Sequence, residues 1–134
     1  MDIKPYLIFE GRCDEAIEFY KKALDAKVNM LMRFKDAPDP AAGAHGVGDK
    51  VMHSQVQIGD AIILMSDGQM KSKPEFKGFS LTITCADEAQ ARRYFDGLND
   101  GGKVTMPLGK TFFAPLFGMV LDKFGVHWMV MVGR

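Results

Sequence analysis

The side chains best suited to chemistry in this chain are few and widely spaced. His53 stands in the run Val51-Met52-His53-Ser54-Gln55-Val56, among apolar neighbours. An imidazole changes charge near neutral pH, so His53 can act as a general base or contact a ligand. The simpler reading is a satisfied structural residue of a strand. Gln55 lies two positions on, and strand alternation puts both side chains on one face. By the same parity His127 shares a face with Met129, opposite Trp128, so one of His127 and Trp128 must face a covering helix. His45 falls in a Gly- and Pro-rich stretch and is expected to be solvated. Ser80, Thr82 and Thr84 alternate with Leu81, Ile83 and Cys85. That alternation describes a half-buried strand with a row of hydroxyls on one side.

Lys110-Thr111-Phe112-Phe113 is a loop with two adjacent aromatics, which core periodicity does not explain. The pair serves either as a lid over a cavity, with Lys110 meeting an anionic group, or as a contact between two copies of the chain. Ser66-Asp67 before Gly68 has the chemistry of a turn cap. Glu10 and Arg12 read as solvated charges or, less simply, as residues of a cavity rim. There are two cysteines, Cys13 and Cys85, with neither a C-x-x-C pair nor a disulfide framework. Cys13 sits at an expected helix start, where a thiolate would be favoured, but a small buried or capping-region residue is the simpler reading.

The elements that must carry these groups follow from periodicity. Ile3–Phe9 is apolar and β-prone and reads as a strand, broken by Gly11. Asp14 and Glu15 open a helix that runs to about Asp25, with Ala16, Ile17, Tyr20, Ala23 and Leu24 at helical spacing. Strands are expected at Val28–Phe34, Lys50–Ile58 and Ala61–Ser66, the last two joined at Gly59-Asp60. Residues 36–50 read as a mobile loop. After a linker the order restarts: a strand at Phe79–Cys85, a helix at Ala86–Asp100 ended by Gly101-Gly102, and a short strand near Lys103–Met106. A final hairpin joins Phe117–Leu121 to Val126–Val132.

The same element order therefore occurs twice, and residues echo it. Asp14-Glu15-Ala16 matches Asp87-Glu88-Ala89, Leu24 matches Leu98, and Lys27-Val28 matches Lys103-Val104. The expected architecture is α+β: two βαβββ modules forming curved mixed sheets around a cavity, with the helices on the outer face. Module one spans about 1–68, a linker about 69–76, and module two about 77–134, within one domain. Each helix covers one sheet face and leaves the other free to line a cavity.

Composition narrows the function classes. Lys plus Arg equals Asp plus Glu at 17 each, so no basic field draws a nucleic acid or an anionic membrane. Near-zero charge also eases self-association. No apolar run approaches the roughly 20 residues of a membrane span, and Met1–Glu10 lacks the basic start and apolar core of a signal peptide. The expected compartment is the cytoplasm. Ten methionines, most of them in expected strands, suit irregular core gaps or an adaptable apolar pocket.

Taken together, these motifs resemble a known family. Tyr6-Leu7-Ile8-Phe9-Glu10-Gly11 followed by Glu15-Ala16-Ile17-Glu18-Phe19-Tyr20 is similar to the opening of PhnB-like proteins of the glyoxalase/bleomycin-resistance (vicinal oxygen chelate) superfamily. So are His53, Ile58-Gly59-Asp60, Leu64-Met65-Ser66-Asp67, Lys110-Thr111-Phe112-Phe113, Phe117-Gly118-Met119-Val120, Phe124-Gly125-Val126 and Trp128. The likeness covers nearly the whole chain. It implies paired βαβββ modules, a homodimer and a small-molecule partner. Many members hold a divalent metal at four positions, which fall here at Pro5, Leu64, Ser80 and Met129. None of these offers imidazole or carboxylate, so no metal cofactor is expected. A shift of two residues on the last strand would bring in His127. Such proteins sometimes carry a 3-demethylubiquinone 3-methyltransferase-like name, yet no Gly-rich strand-to-helix turn for a nucleotide-type methyl donor is present.

Three functions follow as expectations. The first is a small-molecule binding protein without the superfamily metal, its cavity lined by Phe9, Leu64, Phe112, Phe113 and Trp128, with Gln55, Ser80, Thr82 and Lys110 as polar contacts. The second is a lyase- or isomerase-type enzyme with His53 as catalytic base or with an atypical metal site. The third is a structural protein whose cavity is vestigial.

Overall fold

The computed structural model describes residues 1–38 and 47–133. His45 and most of the glycines and prolines of the expected 36–50 loop lie outside them. The chain divides into two units, Met1–Pro74 and Glu75–Arg134, and the cut falls within the stretch read as linker.

The first unit runs β1 (Tyr6–Ile8), α1 (Cys13–Leu24), β2 (Lys27–Arg33), β3 (Val51–Ile58) and β4 (Ala61–Ser66). The α1 stripe is buried as its spacing predicts, at Ala16, Ile17, Tyr20, Ala23 and Leu24. The helix carries acids in its first turn and Lys21 and Lys22 in its last, both suited to its dipole. The strand order is β1-β4-β3-β2. β1 runs parallel to β4, and the other pairs are antiparallel. The register lines up Leu7, Met65, Ser54 and Leu31 as one row and Tyr6, Leu64, Gln55 and Met30 as the next. Leu7, Met65 and Ser54 are buried, so the first row faces α1. Buried Ser54 is satisfied by donating to the Met65 carbonyl at 2.8 Å. The second row lies on the opposite, open face.

Asp67 is buried just past β4. Its carboxylate accepts from the Cys13 amide at 2.7 Å and from the Val51 amide at 2.6 Å. The first turn of α1 is thus capped by a residue remote in sequence, where local reading expected only a turn cap. Burial pushes the Cys13 thiol up, and the charges of Asp67 and Asp14 push it further. The folded chain therefore keeps this thiol protonated where the unfolded chain ionises it, above pH ~8.5. A pKa raised by folding gives stability that is full below that pH and lost above it, by at most ~1.4 kcal/mol per pH unit. Urea unfolding between neutral and strongly alkaline pH is expected to show this loss, and Cys13→Ala should flatten it. An unchanged alkaline slope in the variant would show that Cys13 does not carry it.

The second unit repeats the design with β5 (Leu81–Cys85), α2 (Glu88–Asn99), β6 (Lys103–Gly109), β7 (Leu116–Leu121) and β8 (His127–Val132), in the order β5-β8-β7-β6. Here the cap is local: Asp87 accepts from the Gln90 amide at 2.8 Å, and the Gln90 side chain accepts from the Ala86 amide at 2.9 Å. Leu81, Trp128, Val120 and Val104 form the helix-side row. α2 packs closely on this face, since a Cβ at Gly118 would lie 2.9 Å from the Phe95 ring. β6 is longer than expected. It continues through Pro107 with two register shifts, which an edge strand tolerates because its outer donors need no partner.

Candidate functional site

The face of the second sheet turned away from α2 is lined by rows set by register. One row reads Thr82, Met129, Met119, Met106; the next reads Thr84, Met131, Phe117. His127 lies opposite Leu121 on the same face. Where the β5 end of this face meets the segment before it, Gly78, Phe79, Ser80, Thr82, His127 and Met129 line a pocket of ≈ 520 Å³. Two hydroxyls and an imidazole converge there among apolar groups. Such a lining orients a small ligand through a few hydrogen bonds while its body stays on hydrocarbon and thioether. Ser80, Thr82 and His127 were singled out in the sequence. Phe79 was read only as the start of a strand; it lies before β5 and is half-exposed.

Near this sheet, Thr111 closes a tight turn. Its Oγ1 accepts from the Ala114 amide at 3.0 Å, and its own amide donates to the Ala114 carbonyl at 3.1 Å. Phe113 packs edge-on against Phe117 with ring centroids 5.0 Å apart, whereas Phe112 is 90% exposed and Lys110 is exposed. Of the two aromatics, Phe113 therefore belongs to the sheet and Phe112 to the surface.

In the first unit, His53, Gln55 and Leu64 lie on the open face and are half-buried. The Tyr6 hydroxyl stands 3.0 Å from His53 Nδ1. Sequence reasoning missed this partner, because β4 separates the two strands and no spacing in the sequence reveals that order.

Two expected cavity residues are interior instead. Phe9 is fully buried and meets Tyr20 of α1 at a centroid distance of 6.2 Å. It shares the parity of Leu7, hence the helix side. Trp128 is 2% exposed, sits in the helix-side row, and donates its indole N–H to Asp122 at 2.8 Å. His127, not Trp128, is the one that faces the open side.

The four superfamily metal positions are brought together pairwise by the parallel strands. The Leu64 amide donates to the Pro5 carbonyl at 2.9 Å, and Met129 pairs with Thr82, two residues from Ser80. Their side chains offer no donor, no donor, a hydroxyl and a thioether, which do not fit a hard or borderline divalent ion. The strand-to-helix turns are Phe9-Glu10-Gly11-Arg12 and Ala86-Asp87. Neither has the Gly-rich backbone that would hold a nucleotide-type methyl donor.

Comparison with known proteins agrees with this geometry. The profile of the family described as 3-demethylubiquinone-9 3-methyltransferase matches residues 1–131. Protein YjdN of Escherichia coli K12 is 34% identical over 140 residues, covering 98% of this chain and 95% of the relative. The PhnB protein from Bacillus cereus is 27% identical with a TM-score of 0.81, covering 99% of this chain and 100% of that one. A glyoxylase/bleomycin resistance protein/dioxygenase domain from Frankia sp. EAN1pec is 14% identical with a TM-score of 0.67, covering 100% of this chain and 93% of that one, a likeness of fold alone. With its doubled βαβββ architecture, this chain belongs to the PhnB-like 3-demethylubiquinone-9 3-methyltransferase family, on the glyoxalase/bleomycin-resistance fold.

Proposed function

We propose that this chain is a small-molecule binding protein that acts through the open sheet face of its second unit. The observation that carries the reading is the ≈ 520 Å³ pocket lined by Ser80, Thr82, His127, Phe79, Gly78 and Met129. The pocket is open to solvent, its volume lies within the range of small-molecule sites, and its mixed lining suits an apolar body with polar groups. The thioethers of Met129, Met119 and Met106 let the wall adapt to ligand shape. The reading includes work without the superfamily metal, since the donor set at Pro5, Leu64, Ser80 and Met129 suits no such ion. It also includes a cytoplasmic homodimer. Buried free thiols at Cys13 and Cys85 suit a reducing compartment, and zero net charge lowers the repulsion between copies. No helix among the described residues is long and apolar enough to cross a membrane.

The test has two parts. Elemental analysis of the purified protein should find no stoichiometric metal, and added Zn²⁺, Ni²⁺, Mn²⁺ or Fe²⁺ should give no saturable rise in melting temperature. A screen of apolar and aromatic compounds by thermal unfolding should then yield ligands that raise the melting temperature saturably. His127→Ala is expected to weaken them about tenfold, the loss of roughly one good hydrogen bond. A stoichiometric metal, or ligands indifferent to His127 and Met129, would overturn the reading.

A further inference from the structure

We propose that Tyr6 and His53 form a ligand site on the open face of the first unit, in which Tyr6 fixes the imidazole so that Nε2–H is presented to a carboxylate or carbonyl oxygen. The two residues are distant in sequence and are not on neighbouring strands, because β4 lies between β1 and β3. The phenol nevertheless spans the gap. Its oxygen is 3.0 Å from Nδ1, and the rings have centroids 5.5 Å apart and planes inclined by 28°. The rings are stacked, and the hydroxyl lies at hydrogen-bond distance from the ring nitrogen. The polarity of this contact follows from the chemistry of the partners. A phenol is a good donor and a poor acceptor, since its oxygen lone pair is delocalised into the ring. An unprotonated imidazole nitrogen is a good acceptor. In the neutral pair, the stronger arrangement has the Tyr6 O–H donating to Nδ1, which leaves the imidazole proton on Nε2.

That tautomer changes what His53 can do. The nitrogen left for a ligand is a donor and not a lone pair, so the pair recognises an acceptor oxygen rather than abstracting a proton. The surroundings define the rest of the ligand. Gln55 follows His53 on the same face with a second amide donor. Met32 pairs with His53, and Met30 and Leu64 flank Gln55. Ile8 stands on β1, half-exposed. A small polar centre within a thioether and aliphatic surface suits a carboxylate or carbonyl carried on an apolar body. The site shares no residue with the pocket of the second unit, and the inference does not rest on the function proposed for that pocket.

The experiment uses the full chain labelled with ¹⁵N-histidine. Long-range ¹H–¹⁵N spectra are expected to show His53 protonated on Nε2 with a pyridine-type Nδ1, and a mixture of tautomers in Tyr6→Phe. Benzoate, titrated as the probe, should shift the His53 signals saturably. Its affinity should fall at least fivefold in Tyr6→Phe. Benzyl alcohol, lacking the acceptor pair, should bind more weakly than benzoate. A proton on Nδ1 of His53 in the unsubstituted protein would overturn the inference, and this reading needs no variant to fold. Benzoate affinity equal with and without the Tyr6 hydroxyl would overturn it too. So would shifts confined to His127, although those would support the pocket of the second unit.

Discussion

Asp122→Ala should be among the most damaging substitutions in the protein, costing on the order of 4 kcal/mol. The carboxylate is 3% exposed and accepts three hydrogen bonds: from the Phe124 amide at 2.9 Å, the Val126 amide at 3.0 Å and the Trp128 indole at 2.8 Å. It shapes the turn between β7 and β8 and fixes the largest core side chain of the second unit. Alanine would leave three buried donors unsatisfied, at roughly 1–3 kcal/mol each before relaxation. Against a total stability of about 5–15 kcal/mol for a domain, such a loss is a large fraction. Urea unfolding should give a much lower midpoint with an unchanged slope. Trp128 fluorescence should also move toward that of a solvated indole. A variant within about 1 kcal/mol of the parent would show that water or a rearranged turn replaces the carboxylate.

Asp67→Ala should rank next, at about 2–4 kcal/mol, because two buried amides lose their acceptor. The effect should be local to the first unit. Cys13 opens α1 and Val51 opens β3, so both amides should exchange with solvent faster in the variant, and the amides around Asp122 should not. Asp67→Asn should recover only part of the loss. One of its two acceptor oxygens becomes an NH₂ group, which must face a backbone N–H. If asparagine proved as stable as aspartate, a single oxygen would suffice to hold both elements.

These two carboxylates also show what could be read from the sequence and what could not. Helices and strands announced themselves through periodicity: the α1 stripe, the Ser/Thr alternation of β5 and the hairpin at Gly59-Asp60 stand where the residue pattern puts them. The doubled order gave the fold class, because two similar halves must solve the same burial problem in the same way. Pairings across non-adjacent elements carry no such signal. Asp67 looked like a local turn residue, yet it caps a helix far back in the chain. Tyr6 looked like one more apolar strand residue, yet it holds His53. Parity correctly opposed His127 to Trp128 but could not say which of them met the helix, since that depends on which face α2 covers. Phe9, expected in the cavity lining, lies in the core because it shares the parity of Leu7.

The parallel pairing of β1 with β4, and of β5 with β8, has a consequence for synthesis. In each unit the first strand made is the one whose only partner in the sheet is made last. On the ribosome, Tyr6–Ile8 must wait with its backbone groups unpaired until Ala61–Ser66 has left the exit tunnel. The first unit can then close while the second is still incomplete. A nascent chain stalled before β4 would carry a hairpin of β2 and β3 with an open edge and an apolar face, a form exposed to non-native strand pairing and to chaperone capture. Slow elongation after β3 has emerged and before β4 has emerged should therefore lower the yield of soluble protein more than an equal slowing earlier in synthesis.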